Sequence, residues 1–266
     1  MTLRGQIGII GGTGALGSAI ALALLETGTV RPSDLVVANR SGELGPLADW
    51  QEVRVTTSAE VLVHAAGLVL LAVPPDQAAG LRIHAPGRLV VSVMAGVSLA
   101  RLAEIAGSGR VVRAMSSPAA RRRLAFSPFM AGPAASAEDV VQVRTLFAAC
   151  GIAEEIEDEA LLDVFTALTG PVPGFVAAVA AAMAAWAEAR GAPPATAERA
   201  VRQLFLASGR LIAESPNPPS AEVAAMIAYG GTTAAGLDRL AASPFAEALA
   251  DALDAAARRA GRIAEG

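Results

Sequence analysis

A glycine-rich segment near the N-terminus constrains the fold more than any other part of the sequence. An apolar run at residues 6–10 leads into Gly12-Thr13-Gly14-Ala15-Leu16-Gly17, and a second apolar stretch follows at 19–25. In the spacing G-x-G-x-x-G, Gly12 permits a sharp turn, Gly14 lets a ligand approach the backbone, and Gly17 lets the helix pack closely on the strand. A strand that turns through glycines into a helix predicts the first half of a βαβ unit.

The alternation of strands and helices continues along the chain to residue 157. Strands are predicted at 6–10, 35–38, 53–56, 68–73, 89–93, 111–115, 125–130 and 152–156, with helices at 15–27, 58–66, 75–81, 98–106 and 137–149. From residue 158 the strand pattern stops, and helices are predicted at 158–168, 175–190, 195–213, 221–227, 234–240 and 245–263. We therefore expect an α/β protein with a Rossmann-type doubly wound sheet at 1–157 and an all-α domain at 158–266.

The composition excludes several classes of protein. The net charge is −4, and the single basic run, Arg121-Arg122-Arg123, is too short to predict a nucleic-acid partner. All 21 basic residues are arginine, so catalysis through a lysine Schiff base is excluded. The one cysteine, Cys150, cannot form an intramolecular disulfide and is expected in the core. The first predicted strand begins at residue 6, so we expect no signal peptide and a cytoplasmic location. No metal site is predicted.

The predicted helix at 175–190 is apolar on nearly every side. It belongs to a long uncharged stretch that Pro171 and Pro173 interrupt, which favours burial in protein rather than in a membrane. A small domain cannot cover such a helix by itself, so we expect a homodimer that buries it through the C-terminal helices.

The glycine segment predicts a dinucleotide site, because the N-terminus of the following helix offers free N–H groups to a pyrophosphate. The second strand ends in Asn39-Arg40-Ser41, without the acidic residue that would bind the ribose of NAD. Arg40 can bind a 2′-phosphate, with Asn39 and Ser41 as further donors, so NADP(H) is the expected cofactor. The alternative is a surface loop with an incidental arginine.

Two further segments are expected to line the nicotinamide side of the cleft. Ala72-Val73-Pro74 follows the fourth strand, and Ala95-Gly96 follows the fifth. In open α/β sheets, ligands bind at the carboxyl ends of the strands, where both segments lie.

The sequence resembles pyrroline-5-carboxylate reductases along nearly its whole length. The resemblance rests on the glycine segment, Asn39-Arg40-Ser41, Ala72-Val73-Pro74-Pro75, Ser92-Val93-Met94-Ala95-Gly96, Val111-Val112-Arg113-Ala114-Met115, Thr166-Ala167-Leu168-Thr169-Gly170 and Gly230-Gly231-Thr232-Thr233. It implies hydride transfer from NADPH to the C=N carbon of a cyclic imino acid, in a dimer whose active site lies between the nucleotide domain and the helices.

The resemblance also implies the roles of particular residues. Thr169, Gly170, Gly230, Gly231, Thr232 and Thr233 would bind the substrate, Thr232 and Thr233 would act in catalysis, and Ser116 and Ser117 would contact the cofactor. The residue types at 230–233 independently support one of these roles. Two glycines followed by two threonines at the start of a helix form a nest of backbone N–H groups and hydroxyls that suits a carboxylate. The alternative is an ordinary helix N-cap formed by Thr232 or Thr233.

The sequence departs from the family pattern where the substrate and the nicotinamide would meet. The family's Met-Pro-Asn-Thr-Pro-Ala becomes Met115-Ser116-Ser117-Pro118-Ala119-Ala120, and Tyr229 replaces the proline before the two glycines. A relative that acts on another imine or small acid is therefore an open alternative, as is a nucleotide-binding regulator without catalysis. A 3-hydroxyacid dehydrogenase is disfavoured because its catalytic lysine is missing.

Overall fold

The computed structural model describes residues 2–3, 5–74, 77–78, 80–170 and 174–262. The chain divides into two compact units, Met1–Val172 together with Asp254–Gly266, and Pro173–Leu253. This division differs from the predicted boundary after residue 157, because one helix after that residue and the C-terminal end of the chain belong to the first unit. As a boundary between functional domains, residue 157 stays a prediction.

The first unit is built on one mixed sheet, which confirms the predicted Rossmann-type α/β fold. Over the described residues its eight strands are β1 (Ile7–Ile10), β2 (Leu35–Ala38), β3 (Arg54–Thr56), β4 (Leu68–Leu71), β5 (Leu89–Ser92), β6 (Val111–Ala114), β7 (Ala125–Ala131) and β8 (Gly151–Glu155). Their order is β3-β2-β1-β4-β5-β6-β7-β8. All neighbours are parallel except β6 and β7. Each predicted strand is therefore present.

Helices cover both faces of this sheet. They are α1 (Ala15–Glu26), α2 (Ala59–Ala65), α3 (Leu99–Ala106), α4 (Ala137–Ala148) and α5 (Ala160–Thr169). Three of the seven residues of the predicted helix at 75–81 (Pro75, Asp76 and Ala79) lie outside the described residues, and the four that are described are not in an α-helix. Along β1 the side chains alternate between two cores: Ile7 and Ile9 lie in one cluster and Ile10 in the other. Burial on both faces explains why β1, β2 and β4 are continuous apolar runs. The edge strands β3 and β8 are partly exposed and contain charged residues.

The register of the parallel strands brings the predicted cofactor segments to one edge of the sheet. Ile10 at the end of β1 is paired with Ala38 at the end of β2 and with Leu71 at the end of β4. The residues that follow these three strands therefore emerge side by side. This edge is the carboxyl end at which open α/β sheets bind nucleotides.

Packing explains why α5 belongs to the first unit. Leu162 is buried in a small cluster with Met115 and Ile156. The rings of Phe126 and Phe165 lie 5.4 Å apart, centroid to centroid. These contacts join α5 to β7 and to the end of β6, although the helix follows the last strand in sequence.

The second unit consists of helices. These are α6 (Gly174–Glu188), α7 (Pro194–Glu214), α8 (Pro219–Tyr229), α9 (Gly231–Ala241) and the first part of α10 (Phe245–Arg262). Among residues 174–253 only Ala197 and Ala234 are buried within the chain. No residue of α6 is buried in the single chain, and the burial of this helix by a second subunit stays a prediction.

The exposed side chains of α6 and α7 form an apolar groove within the second unit. Its lining consists of Val179, Ala182, Met183, Trp186, Ala187, Ala200, Val201 and Leu204. One apolar stretch, Ala160–Glu188, would be long enough to cross a membrane by length and composition. An exposed apolar surface of this kind can also be removed from water by packing against another protein chain.

Candidate active site

The turn after β1 is made by Gly11. Its φ is +82°, and a Cβ built on it would lie 2.7 Å from the carbonyl oxygen of Ala72. Gly12 is the second residue of the turn that the Gly14 N–H closes on the Gly11 carbonyl at 3.0 Å, and it does not itself have a positive φ. The G-x-G-x-x-G template starts one residue too late to include Gly11; the signal for it is a glycine directly after the strand.

The other glycines allow close packing at the start of α1. A Cβ at Gly12 would lie 2.6 Å from Val37 Cγ1, and one at Gly17 would lie 2.2 Å from the Gly11 carbonyl oxygen. At Gly14, in contrast, the nearest atom would be the Gly11 oxygen at 3.3 Å. Gly14 is the N-cap of α1, with no side-chain cap and no acidic residue in the first turn. The N–H groups of that turn are therefore available to an anion.

A cavity of about 540 Å³, which we call the adenosine-side cavity, lies on one side of this turn. Its lining includes Thr13, Asn39, Arg40, Ser41 and Thr57. The Arg40 side chain makes no hydrogen bond or ion pair with any described residue. It is thus free to bind a phosphate.

The side chain of Asn39 shapes the loop that contains Arg40, and its contact with the cofactor stays a prediction. Its Oδ1 accepts hydrogen bonds from the N–H of Gly42 at 2.7 Å and from Ser41 Oγ at 3.1 Å. Its Nδ2 donates to the Glu43 carbonyl at 2.8 Å. The amide is therefore engaged in shaping the loop that presents Arg40, and this arrangement supports Arg40 as the main recognition group.

A second cavity of about 550 Å³, the nicotinamide-side cavity, lies on the other side of the turn and shares Gly14, Ala72, Val73 and Pro74 with the first. Both cavities thus meet at Gly14, in the segment predicted to hold a pyrophosphate, and at the segment Ala72–Pro74. Further predicted residues that line it are Ala15, Leu16, Ala95, Ser116 and Gly170. Gly96, Ser117 and Thr169 do not line it.

The two serines after β6 are buried and differ in their surroundings. Ser116 Oγ is 2.9 Å from Ser127 Oγ, and Ser116 faces the nicotinamide-side cavity. Ser117 precedes a 3₁₀ turn at Pro118–Arg122 without capping it through its side chain. Thr169 Oγ1 donates to the Phe165 carbonyl one helical turn away at 3.0 Å. Of these three hydroxyl residues, only Ser116 lines the cavity.

Arg113 is a functional candidate that the sequence reasoning missed. Its side chain is only 7% exposed, and it forms ion pairs with Glu159 at 2.9 Å and Asp163 at 2.6 Å. Glu159 Oε1 also accepts a hydrogen bond at 2.7 Å from the N–H of Leu99, at the start of α3. The cluster fixes α5 beside the nicotinamide-side cavity. An arginine inside the apolar run of β6 is the one signal for it.

The wall of the nicotinamide-side cavity carries no acid. Its lining, as far as the structure describes the chain, contains no carboxylate, histidine or cysteine, and its ionisable residues are Arg113 and Arg259. Cys150 is fully buried, and burial raises the pKa of its thiol to about 12, which confirms it as a core residue. The described residues also contain no cluster of three or more metal-ligating side chains.

The predicted carboxylate nest lies in the second unit. Gly230 and Gly231 have φ values of +84° and +81°, and α9 begins at Gly231. The N-cap is Gly230, with no side-chain cap bond, so the structure does not support a threonine N-cap. Thr232 and Thr233 occupy the first turn and line a cavity of about 410 Å³ together with Glu222, Met226 and Tyr229.

Comparison with known families and proteins agrees with this geometry. A family of NADP oxidoreductases described as coenzyme F420-dependent matches residues 6–96, and pyrroline-5-carboxylate reductase dimerisation matches 159–263. The pyrroline-5-carboxylate reductase of Thermus thermophilus is 36% identical and covers 96% of this chain and 97% of its own. That of Synechocystis is 30% identical, with 96% of each chain covered.

Solved structures show the same relationship. The 1-pyrroline-5-carboxylate reductase of Streptococcus pyogenes is 29% identical, covers 96% of this chain and 98% of its own, and superposes with a TM-score of 0.81. The Plasmodium falciparum pyrroline carboxylate reductase, solved with NADP bound, superposes with a TM-score of 0.83 at 21% identity, over 99% of this chain and all of its own. The predicted cofactor, NADP(H), is confirmed. The chain is therefore an NADP-dependent oxidoreductase, and it belongs to the pyrroline-5-carboxylate reductase family.

Proposed function

We propose that this enzyme reduces the C=N bond of a small cyclic imino acid, and that its substrate is 1-pyrroline-5-carboxylate, which becomes proline. The observation that carries the proposal is the lining of the nicotinamide-side cavity. Among the residues that the structure describes, this lining is mostly apolar and has no general acid; its polar side chains are two arginines and the hydroxyls of Ser116 and Thr166. Such a cavity suits a substrate that is already electrophilic when it binds.

A protonated cyclic imine is such a substrate. NADPH, when bound, supplies the hydride, which carries two electrons to the C=N carbon. The π electrons of the iminium become the lone pair on nitrogen, so the product is a secondary amine and no proton has to be delivered by a side chain. The protein therefore contributes mainly by positioning the two reactants.

Each unit contributes different residues to this positioning. In the first unit, the turn at Gly11–Gly17 and Arg40 would hold the pyrophosphate and the 2′-phosphate. In the second unit, Gly230, Gly231, Thr232 and Thr233 would bind the substrate carboxylate through backbone N–H groups and hydroxyls. Gly170 lines the cavity and is a further substrate-side residue, whereas Thr169 would act indirectly through α5.

Oligomerisation is part of the proposal. The dimerisation family matched at 159–263 and the exposed apolar groove of the second unit support a homo-oligomer. We propose a homodimer formed through the C-terminal helices, working in the cytoplasm.

The test is an NADPH-oxidation assay with wild-type enzyme and a panel of cyclic imines. The panel contains 1-pyrroline-5-carboxylate, its six-membered homologue and 1-pyrroline without the carboxylate, with a no-imine control. We expect the five-membered imino acid to have the highest kcat/KM and NADPH to be preferred to NADH by at least about tenfold. Absence of turnover with both imino acids would reject the proposed substrate class.

A further inference from the structure

One positively charged side chain of the nicotinamide-side cavity belongs to the C-terminal helix, α10. Arg259 lines the cavity from the end of α10, together with Ala256 and Ala260. Ala260 is buried, and a Cβ built on Gly261 would lie 3.6 Å from Asp163 Oδ2 of α5, at an ordinary van der Waals distance. The end of α10 is therefore packed on the first unit, and this packing places Arg259 at the cavity wall.

The two arginines of the cavity differ in how their charges are compensated. Arg113 forms ion pairs with two carboxylates, so that its cluster carries a net charge of −1. Arg259 makes no hydrogen bond or ion pair with any residue that the structure describes. Its guanidinium therefore remains available for a ligand, and its planar array of N–H donors suits carboxylate and phosphate oxygens.

We propose that Arg259 binds an anionic oxygen group within this cavity. One source is the pyrophosphate of the cofactor, because Gly14, Ala15 and Leu16 line the same cavity. The N-terminus of α1 offers only about half a positive charge to the two negative charges of a pyrophosphate. The other source is the carboxylate of the imino acid, and this source rests on the function proposed above.

The experiment compares Arg259→Gln with Arg258→Gln in the full-length enzyme. Arg258 is the adjacent exposed arginine on α10 and does not line the cavity, so it is the matched control for charge and helix position. A third variant, Arg259→Lys, keeps the charge without the planar donor array. Two quantities are measured: the Kd of NADPH in the absence of substrate, and kcat and KM for 1-pyrroline-5-carboxylate and for 1-pyrroline.

The two sources predict different results. If the pyrophosphate is the partner, Arg259→Gln raises the Kd of NADPH about tenfold or more, and Arg259→Lys restores part of the affinity. If the carboxylate is the partner, the Kd is unchanged, and KM rises about tenfold for the imino acid but not for 1-pyrroline. Arg258→Gln leaves all these values near wild type.

The proposal is overturned if Arg259→Gln and Arg258→Gln give the same Kd and the same KM values. Failure of the proposed function has a separate signature, since wild-type enzyme would then turn over no imino acid at all. In that case the NADPH titration alone decides, and an unchanged Kd in Arg259→Gln contradicts the proposal. Circular dichroism of each variant confirms that the fold is retained.

Discussion

The two units of this chain differ in how much of their surface the chain itself can bury. The first unit has an eight-stranded sheet with apolar clusters on both faces, and its central strands are fully buried. In the second unit, residues 174–253, only two alanines are buried, while Met183, Trp186 and Leu211 are exposed. The difference indicates that the first unit can fold around its own core, whereas the second needs another chain.

The same contrast applies to function. The first unit contains both cavities that flank the glycine turn, so a single chain holds the residues expected to bind NADPH. The second unit contributes an apolar groove and the nest at Gly230–Thr233, both exposed in the single chain. We therefore expect cofactor affinity to be a property of the single chain, and turnover to depend on oligomerisation.

The largest effect is expected from Met183→Asp, which places a charge in the groove between α6 and α7. Burying an unpaired carboxylate in an apolar interface is strongly unfavourable, so the oligomer should dissociate and specific activity should fall more than about 100-fold. Light scattering coupled to size-exclusion chromatography measures the mass. Leu124→Asp is the control, because Leu124 is 77% exposed in the first unit and lies outside the groove. A Met183→Asp variant that keeps the wild-type mass would contradict the interface.

The second-largest effect is expected on the free energy of unfolding of the first unit. Asp139 is fully buried and accepts hydrogen bonds from Arg110 Nε at 2.9 Å and Nη2 at 2.7 Å. Asp139→Asn should lower the free energy of unfolding by about 2 kcal/mol at neutral pH, because it weakens two hydrogen bonds to a charged group while the remaining charge, on Arg110, is partly exposed to water. The oligomeric mass should not change. Glu138→Gln, at the exposed neighbouring position, should have little effect in the same denaturant titration.

The pH dependence of this difference follows from the pKa of Asp139. The hydrogen bond from Arg110 lowers that pKa below its ordinary value, and burial opposes the shift. Stability from a carboxylate with a lowered folded-state pKa is complete above its unfolded-state pKa of about 3.9 and is lost as pH falls through the folded-state value. The gap between wild type and Asp139→Asn should therefore be constant above about pH 5 and shrink below about pH 4. A gap that widens in acid would refute this explanation.

Arg40→Ala should weaken the binding of NADPH about 10- to 100-fold, since a charge-assisted pair to the 2′-phosphate is lost. The affinity for NADH, which lacks this phosphate, should remain within about twofold. Fluorescence titration of both cofactors separates the two expectations. Arg122→Ala removes an exposed arginine that lines neither cavity and serves as the control. Equal losses for NADPH and NADH would show that Arg40 does not select the phosphate.

The smallest effect is expected at the nest. Thr233→Ala removes one hydroxyl and leaves the backbone N–H groups, so KM for the imino acid should rise about tenfold while the Kd of NADPH stays the same. Thr233→Ser should recover most of the loss, because it restores the hydroxyl. An unchanged KM in Thr233→Ala would remove Thr233 from the substrate site.

Local patterns explain which parts of the structure were predictable. Strands β1, β2 and β4 are apolar runs buried on both faces, so their positions follow from residues adjacent in sequence. The positive φ of Gly11, at the start of the turn, is a backbone angle that the glycine spacing does not reveal. The pairs that Arg113 makes join residues 46 and 50 positions apart, and such contacts depend on the tertiary fold.

The position of Arg259 at the cavity also depends on the tertiary fold and could not be predicted from the sequence. The approach of Gly261 to Asp163 joins two helices that are distant in sequence, and no periodicity in either helix predicts it. In contrast, Arg40 was predictable because it lies two residues after the end of β2, at the edge of the sheet where the ligand is expected. Residues next to a motif can thus be assigned from sequence, whereas those brought in from elsewhere need the fold.

The most direct test of the contrast between the two units is to measure both functions on one dissociated variant. Met183→Asp, shown to be monomeric, is titrated with NADPH and then assayed with 1-pyrroline-5-carboxylate at saturating NADPH. Our account predicts a Kd for NADPH within about threefold of wild type, since less than about 0.7 kcal/mol of binding should be lost, together with almost complete loss of turnover. A monomer that reduces the imine at the wild-type rate, or one that no longer binds NADPH, would contradict it.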